Sequence, residues 1–209
     1  MKNLILVAAC TVLLTAAPAL AHGPHEHGAA RLDVAVEGNI VEINLESPLA
    51  NALPFEHAPR DAAQRPAVQN MAATLHKAEN IFVFPAAAQC RIKKVTLESE
   101  ALPEALLKAN TAPQPEQTQT SKHNASAVPA VEPKPHADHD EHAGHDDHGG
   151  HADLDASFIF ECAQPDVLHG MDVRLFSAWP ALHELRVQIV SPTGQHAAEL
   201  NEQAHTLTW

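Results

Sequence analysis

The sequence has no tyrosine, only six phenylalanines and two tryptophans, and half as many basic as acidic residues. So few aromatic rings argue against a groove on which sugars or nucleotide bases would stack. The formal net charge of −13 excludes a nucleic-acid-binding protein built on a basic face. Phosphate-cradling glycine loops and the GxSxG and HExxH motifs are also missing, so the sequence predicts a protein that is not an enzyme.

Long apolar runs are missing too, apart from Leu4–Leu14 near the amino terminus. With Lys2 before it and Ala19-Leu20-Ala21 after it, this run predicts a cleaved secretory signal peptide over residues 1–21. The run is too short to span a membrane, and the mature chain is predicted to have no transmembrane segment. Acylation of Cys10, as in a lipoprotein, is disfavoured because the apolar stretch continues well past it.

Export would leave two cysteines, Cys90 and Cys162. An even number of cysteines in an oxidising compartment favours a disulfide between them. The alternative is a pair of thiolate metal ligands, although no CxxC spacing supports it. With a disulfide, metal chemistry would depend on imidazole and carboxylate groups.

Alternating apolar residues predict a mainly antiparallel α+β domain. The first two strands, Ala30–Val36 and Asn39–Leu45, flank the turn sequence Glu37-Gly38-Asn39, which is typical of a hairpin. In the second strand, Ile40, Ile43 and Leu45 are predicted to share a face, with Val41 off-register. A helix is predicted from Pro66 to about Asn80. Further strands are predicted at Ile81–Phe84, Gln89–Leu97, Leu154–Cys162, Val173–Phe176, Glu184–Val190, His196–Leu200 and Thr206–Trp209, with a short turn or helix at Ser177–Leu182.

Residues 109–153 differ in composition from the rest of the chain. Their only branched aliphatic residues are Val128 and Val131, and they contain no aromatic residue. Such a segment buries too little apolar surface to offset its ordering entropy, so we predict a disordered linker. The predicted organisation is a signal peptide (1–21), a histidine-containing arm (22–29), and one ordered domain in two parts (30–108 and 154–209), interrupted by this linker.

Histidine is the most over-represented residue, with 16 in the chain. Six of them recur at every third position within the linker, with aspartates between them: His136, His139, His142, His145, His148 and His151, with Asp138, Asp140, Asp146 and Asp147. Imidazole is the commonest protein ligand for zinc and its neighbours, and carboxylates complete such shells. This histidine tract (residues 136–151) therefore predicts several interchangeable metal sites of modest affinity.

Two further groups of residues are candidate ligands. His22, His25 and His27 lie in the arm, where cleavage after Ala21 would give His22 a free amine beside its imidazole. An amino-terminal histidine is also found in copper-dependent oxidative enzymes, so such an enzyme is an alternative. In the ordered domain, the candidates are His57 with its neighbour Glu56, and His183 before a strand.

Several segments are similar to those of a known family, above all Phe55-Glu56-His57-Ala58-Pro59-Arg60, with His22–Gly28, Leu32–Gly38, Ser47–Asn51, Phe158–Cys162 and Leu175–Gln188. In these segments the chain resembles the ZrgA family of zinc-regulated periplasmic proteins. The resemblance implies a periplasmic zinc-binding protein that assists uptake through a zinc ABC transporter. A nickel or copper chaperone stays open, because imidazole sites intrinsically bind copper more tightly than zinc. A transporter's own solute-binding component is disfavoured, because the ordered chain is small for two α/β lobes.

Overall fold

The computed structural model describes residues 26–109 and 152–209. Nine strands and three helices are present in these residues. The strands are β1 (Ala29–Glu37), β2 (Ile40–Pro48), β3 (Phe82–Val83), β4 (Cys90–Glu98), β5 (Asp153–Cys162), β6 (Gly170–Val173), β7 (Glu184–Ser191), β8 (Gly194–Leu200) and β9 (Thr206–Thr208). The helices are α1 (Gln64–Leu75), α2 (Glu104–Leu107) and α3 (Leu175–Ala178). The predicted α+β class is confirmed.

The strands form two sheets. Six strands make the main sheet in the order β4-β5-β2-β1-β7-β8, and three make a smaller one in the order β3-β6-β9. All pairings are antiparallel except that of β1 with β7, which is parallel. One face of the main sheet, α1 and β3 contribute to a single hydrophobic core. At its centre, the Phe82 ring meets the Phe158 ring edge-on, with 5.0 Å between centroids.

The predicted hairpin is present as β1 and β2. Gly38 lies in its two-residue turn with φ of +58°, a conformation that glycine adopts without a Cβ penalty. The predicted register of β2 is wrong, because Val41 is fully buried in line with Ile43 and Leu45. Ile40 is only half-buried, since it lies next to the turn on the opposite side of the strand.

The helix begins earlier and ends earlier than predicted. Its first residue is Gln64 rather than Pro66, because Asp61 Oδ1 accepts hydrogen bonds from the backbone N–H groups of Ala63 (2.8 Å) and Gln64 (2.9 Å). It ends at Leu75, and Ala78–Asn80 form a separate 3-10 turn. Val68, Met71 and Leu75 form part of its buried face.

Two other segments differ from the prediction. Leu175 and Phe176 were expected to extend a strand, but β6 ends at Val173 and both residues lie in α3. α2 was not predicted at all, and it is fixed in part by His76, whose Nε2 donates to the Leu107 carbonyl (2.8 Å).

The two ordered parts of the chain meet at β4 and β5. Cys90 lies directly opposite Cys162 in this pairing, and the predicted disulfide joins them with an S–S distance of 2.08 Å. β5 begins at Asp153, one residue before the predicted boundary, and Leu49 N–H donates to the Ala152 carbonyl (2.8 Å). The predicted signal peptide and nearly all of the predicted linker lie outside the described residues.

Candidate metal-binding site

The predicted ligands divide into those that the structure describes and those that it does not. His22, His25 and the whole histidine tract lie outside the described residues. His27, Glu56, His57 and His183 lie within them. The ordered part of the candidate site therefore consists of residues from the arm, from the loop between β2 and α1, and from the segment that enters β7.

His27 and Glu56 are in direct contact. His27 Nε2 lies 3.2 Å from Glu56 Oε2, across 29 residues of sequence. The Glu56 side chain is only 20% exposed, whereas that of His27 is 54% exposed. An imidazole nitrogen and a carboxylate oxygen are two ligand types that zinc accepts. The contact therefore brings together two of the sequence-predicted ligands at the protein surface.

The backbone around Gly28 connects the arm to β7. The Gly28 carbonyl accepts hydrogen bonds from the N–H groups of His183 (2.7 Å) and Glu184 (2.9 Å). Gly28 has φ of +88°, and a Cβ placed there would lie 3.2 Å from Cδ2 of the His183 ring. Glycine at this position therefore permits both the turn of the chain and the close approach of His183.

An ion pair next to this backbone contact also fixes the arm. Arg186 of β7 donates from Nη2 to Glu26 Oε2 at 2.8 Å and also contacts Glu184. Hydrogen bonding to Glu26, and then to Glu184, raises the pKa of Arg186 above its ordinary value. The guanidinium group therefore forms a solvent-exposed ion pair with Glu26, the residue next to His27.

His57 has a defined ring orientation. Its Nδ1 donates to the Ala58 carbonyl at 2.9 Å, and the ring stacks on Phe55 with centroids 5.2 Å apart. In neutral imidazole, protonation of Nδ1 leaves the lone pair on Nε2. The lone pair of the His57 ring therefore lies on Nε2, and the stacking on Phe55 restricts where that atom lies.

These residues do not form a complete ligand set by themselves. Within 26–109 and 152–209, no group of three or more His, Cys, Asp or Glu side chains could hold a metal ion. Cys90 and Cys162 are joined to each other, and His205 donates from Nδ1 to the Glu202 carbonyl (3.0 Å). Of the predicted ligands, the structure brings His27 and Glu56 into direct contact, and these two alone do not make a metal site.

Sequence reasoning missed Asn51 and Glu26. Asn51 is buried, and its side-chain amide binds the backbone on both sides of the Gly28–Ala29 peptide. An asparagine in a proline-rich loop is most simply interpreted as a turn residue, so the residue type alone does not indicate a functional role. The one available signal was its position between two candidate ligand segments.

Comparison with known proteins gives one family. A family model described as ZrgA family zinc uptake protein matches residues 24–209. No curated protein matches the chain. Within the part of the chain that the structure describes, no helix is long and apolar enough to cross a membrane.

Proposed function

Because the chain belongs to the ZrgA family of zinc uptake proteins, we propose that it is a periplasmic zinc-binding protein that assists uptake by an ABC transporter. Its histidine tract captures zinc, and its ordered domain holds one further ion more tightly for transfer. The family match over residues 24–209 carries the zinc assignment. The role is one of binding rather than catalysis, which agrees with the missing nucleophile and phosphate-loop motifs.

The sequence of the tract supports its role in capture. Six imidazoles at every third position, with carboxylates between them, offer many overlapping sets of three or four ligands. Equivalent ligand sets favour capacity and rapid exchange over affinity. A tight site instead needs ligands that are held by packed elements and oriented by outer-shell partners.

The contact between His27 and Glu56 meets that second requirement. The arm is held by the strand β7, Glu56 is largely buried, and the His57 ring is stacked on Phe55. We assign His27 and Glu56 as the fixed part of the tighter site. His57, His183 and the arm residues His22 and His25 are the candidates to complete it.

Zinc titration of the mature chain and of matched variants tests this division. Deleting residues 136–151 is expected to remove most of the bound zinc and to leave about one tighter ion per chain, held by His27, Glu56 and the residues that complete their ligand set. A second variant, which we name the tract-silenced chain, carries serine in place of all six tract histidines and keeps the chain length. Comparing it with the deletion separates the effect of losing the histidine ligands from the effect of shortening the chain. If neither variant binds any zinc, the ordered domain is a scaffold or docking surface.

Single substitutions then locate the tighter site. In the tract-silenced chain, His27→Ala and His57→Ala are each expected to lower the affinity of the remaining ion. His196→Ala, which removes an exposed imidazole on the edge strand β8, is the matched control and is expected to have no effect. An equal loss from all three substitutions would contradict the assignment. Competition among equimolar zinc, copper and nickel under limiting supply decides between a zinc protein and a nickel or copper chaperone.

A further inference from the structure

Asn51 is one of two buried polar side chains in the described residues, the other being Ser47. It ends the 3-10 turn that follows β2, and it is 3% exposed. Burying an amide away from water costs free energy unless its polar atoms are hydrogen-bonded. The partners of this amide therefore indicate what the side chain does in the fold.

Those partners are mainly the backbone of the arm. Asn51 Oδ1 accepts from the Gly28 N–H at 2.7 Å, and Asn51 Nδ2 donates to the Ala29 carbonyl at 2.8 Å. Nδ2 also donates to Ser47 Oγ at 3.0 Å, and that hydroxyl in turn donates to the Pro48 carbonyl at 3.2 Å. Each polar atom of the amide is paired. The side chain thus binds the residue that directly follows His27.

We propose that Asn51 is a positioning residue that fixes the His27 imidazole opposite Glu56, which makes it a determinant of the ordered zinc site. This inference rests on the proposed function for its link to zinc. Asn51 lies five residues before Glu56 in the sequence, so it joins the arm to the start of the loop that carries the second ligand. The Gly28 carbonyl is held from the other side by β7. His27 is therefore attached to a backbone that is anchored on both sides.

The two substitutions at this position have different expected effects. Asn51→Ala removes all three hydrogen bonds of the side chain and frees the arm from the loop. Asn51→Asp keeps an oxygen that accepts from the Gly28 N–H but loses the donor to the Ala29 carbonyl. Its second carboxylate oxygen would face the Ala29 carbonyl oxygen in a buried site, so its effect is expected to be at least as large as that of Asn51→Ala. Asn44→Ala is the matched control, because Asn44 is exposed on β2 and its side chain hydrogen-bonds only Glu42 among the residues that the structure describes.

The first measurement needs no metal. Proton–nitrogen NMR spectra of the metal-free tract-silenced chain report the His27 ring and the Gly28 amide. Asn51→Ala is expected to shift the His27 ring resonances and to speed hydrogen exchange of the Gly28 amide, while Asn44→Ala leaves both unchanged. Unchanged His27 resonances in Asn51→Ala would overturn the proposal. Thermal unfolding midpoints are recorded so that all spectra are compared well below unfolding.

The second measurement is a zinc-affinity cycle in the same chain. Asn51→Ala is expected to weaken the ordered site by about tenfold, as is usual for partners that orient a histidine ligand. In the His27→Ala background, the same substitution should have no further effect, because a positioning residue acts only through the group it positions. Additive losses would overturn the proposal. If His27→Ala itself leaves zinc affinity unchanged, the assigned site fails, and the His27 resonances still decide whether Asn51 positions the ring.

Discussion

Reduction of the disulfide between Cys90 and Cys162 is expected to lower the free energy of unfolding by about 4 kcal/mol. The two cysteines are 72 residues apart, and a crosslink over that distance removes loop-closure entropy from the unfolded chain. The chain-entropy relation gives about 4 kcal/mol for such a loop at room temperature. This is a large part of the stability of a typical domain, which is about 5–15 kcal/mol.

The same relation predicts how the stabilisation by the disulfide depends on residues 110–151, which lie between the two cysteines. Removing residues 110–151 shortens the crosslinked loop from 72 to 30 residues. The difference in stability between the oxidised and reduced forms should then be smaller by about 0.8 kcal/mol, since loop entropy varies with the logarithm of length. Each chain, full-length or shortened, is compared with its own reduced form. Effects of the deletion that are common to the oxidised and reduced forms therefore cancel.

Urea unfolding of the metal-free protein, with and without reductant, measures both quantities. A Cys90→Ser, Cys162→Ser double variant is the control, and reductant should not change its unfolding curve. Two free thiols in protein isolated from an oxidising compartment would refute the reasoning. So would a loss on reduction of less than about 1 kcal/mol, which lies far below the value expected for a loop of this length.

Zinc held by the histidine tract is expected to dissociate as the pH falls through about 6, because protonated imidazole cannot bind metal; full retention after dialysis at about pH 5 would indicate carboxylate ligands instead. The hydrogen bond and charge of Lys93 lower the pKa of Glu161, so this pair should stabilise the fold above about pH 4.5 and lose its effect as the pH falls through the lowered pKa. The free energy of unfolding of Glu161→Gln, measured in urea, should therefore differ from that of the parent at neutral pH and converge with it in acid. A difference that does not change with pH would argue against a stabilising pair. Phe82→Ala, which removes a 1% exposed ring from the core, should cost about 3–5 kcal/mol in the same assay. Val190→Ala, at a 51% exposed position, should change stability by less than about 0.5 kcal/mol.

The parts of the fold that the sequence predicts well are local. The β1–β2 hairpin follows from alternating residues and a Gly38 turn, both of which are properties of adjacent residues. The helical spacing of Ala67, Met71 and Leu75 predicts the helix, but its start is misplaced because Asp61, which accepts a hydrogen bond from the Gln64 N–H, lies outside the periodic segment. Local patterns indicate an element reliably and its ends much less so.

The candidate site was predictable only as a set of residues. His27 and Glu56 are both candidate ligands in the sequence, but nothing in the sequence indicates that they meet. Their contact lies next to the hydrogen bonds of Gly28 with Asn51 and with the start of β7, which join distant segments. Hydrogen bonds between such segments leave no periodic pattern, so only the structure shows them.

The position of β1 in the main sheet has a consequence for how the protein folds. β1 pairs with β2 on one side and with β7 on the other, and the outer edge of β2 pairs with β5. Both outer neighbours come from the carboxy-terminal part of the chain, so residues 26–109 alone would leave both outer edges of the β1–β2 hairpin without their native partners. Contacts between residues so far apart in sequence raise the contact order and slow folding. We therefore expect the β1–β2 hairpin to gain stable strand partners only once β5 and β7 are available.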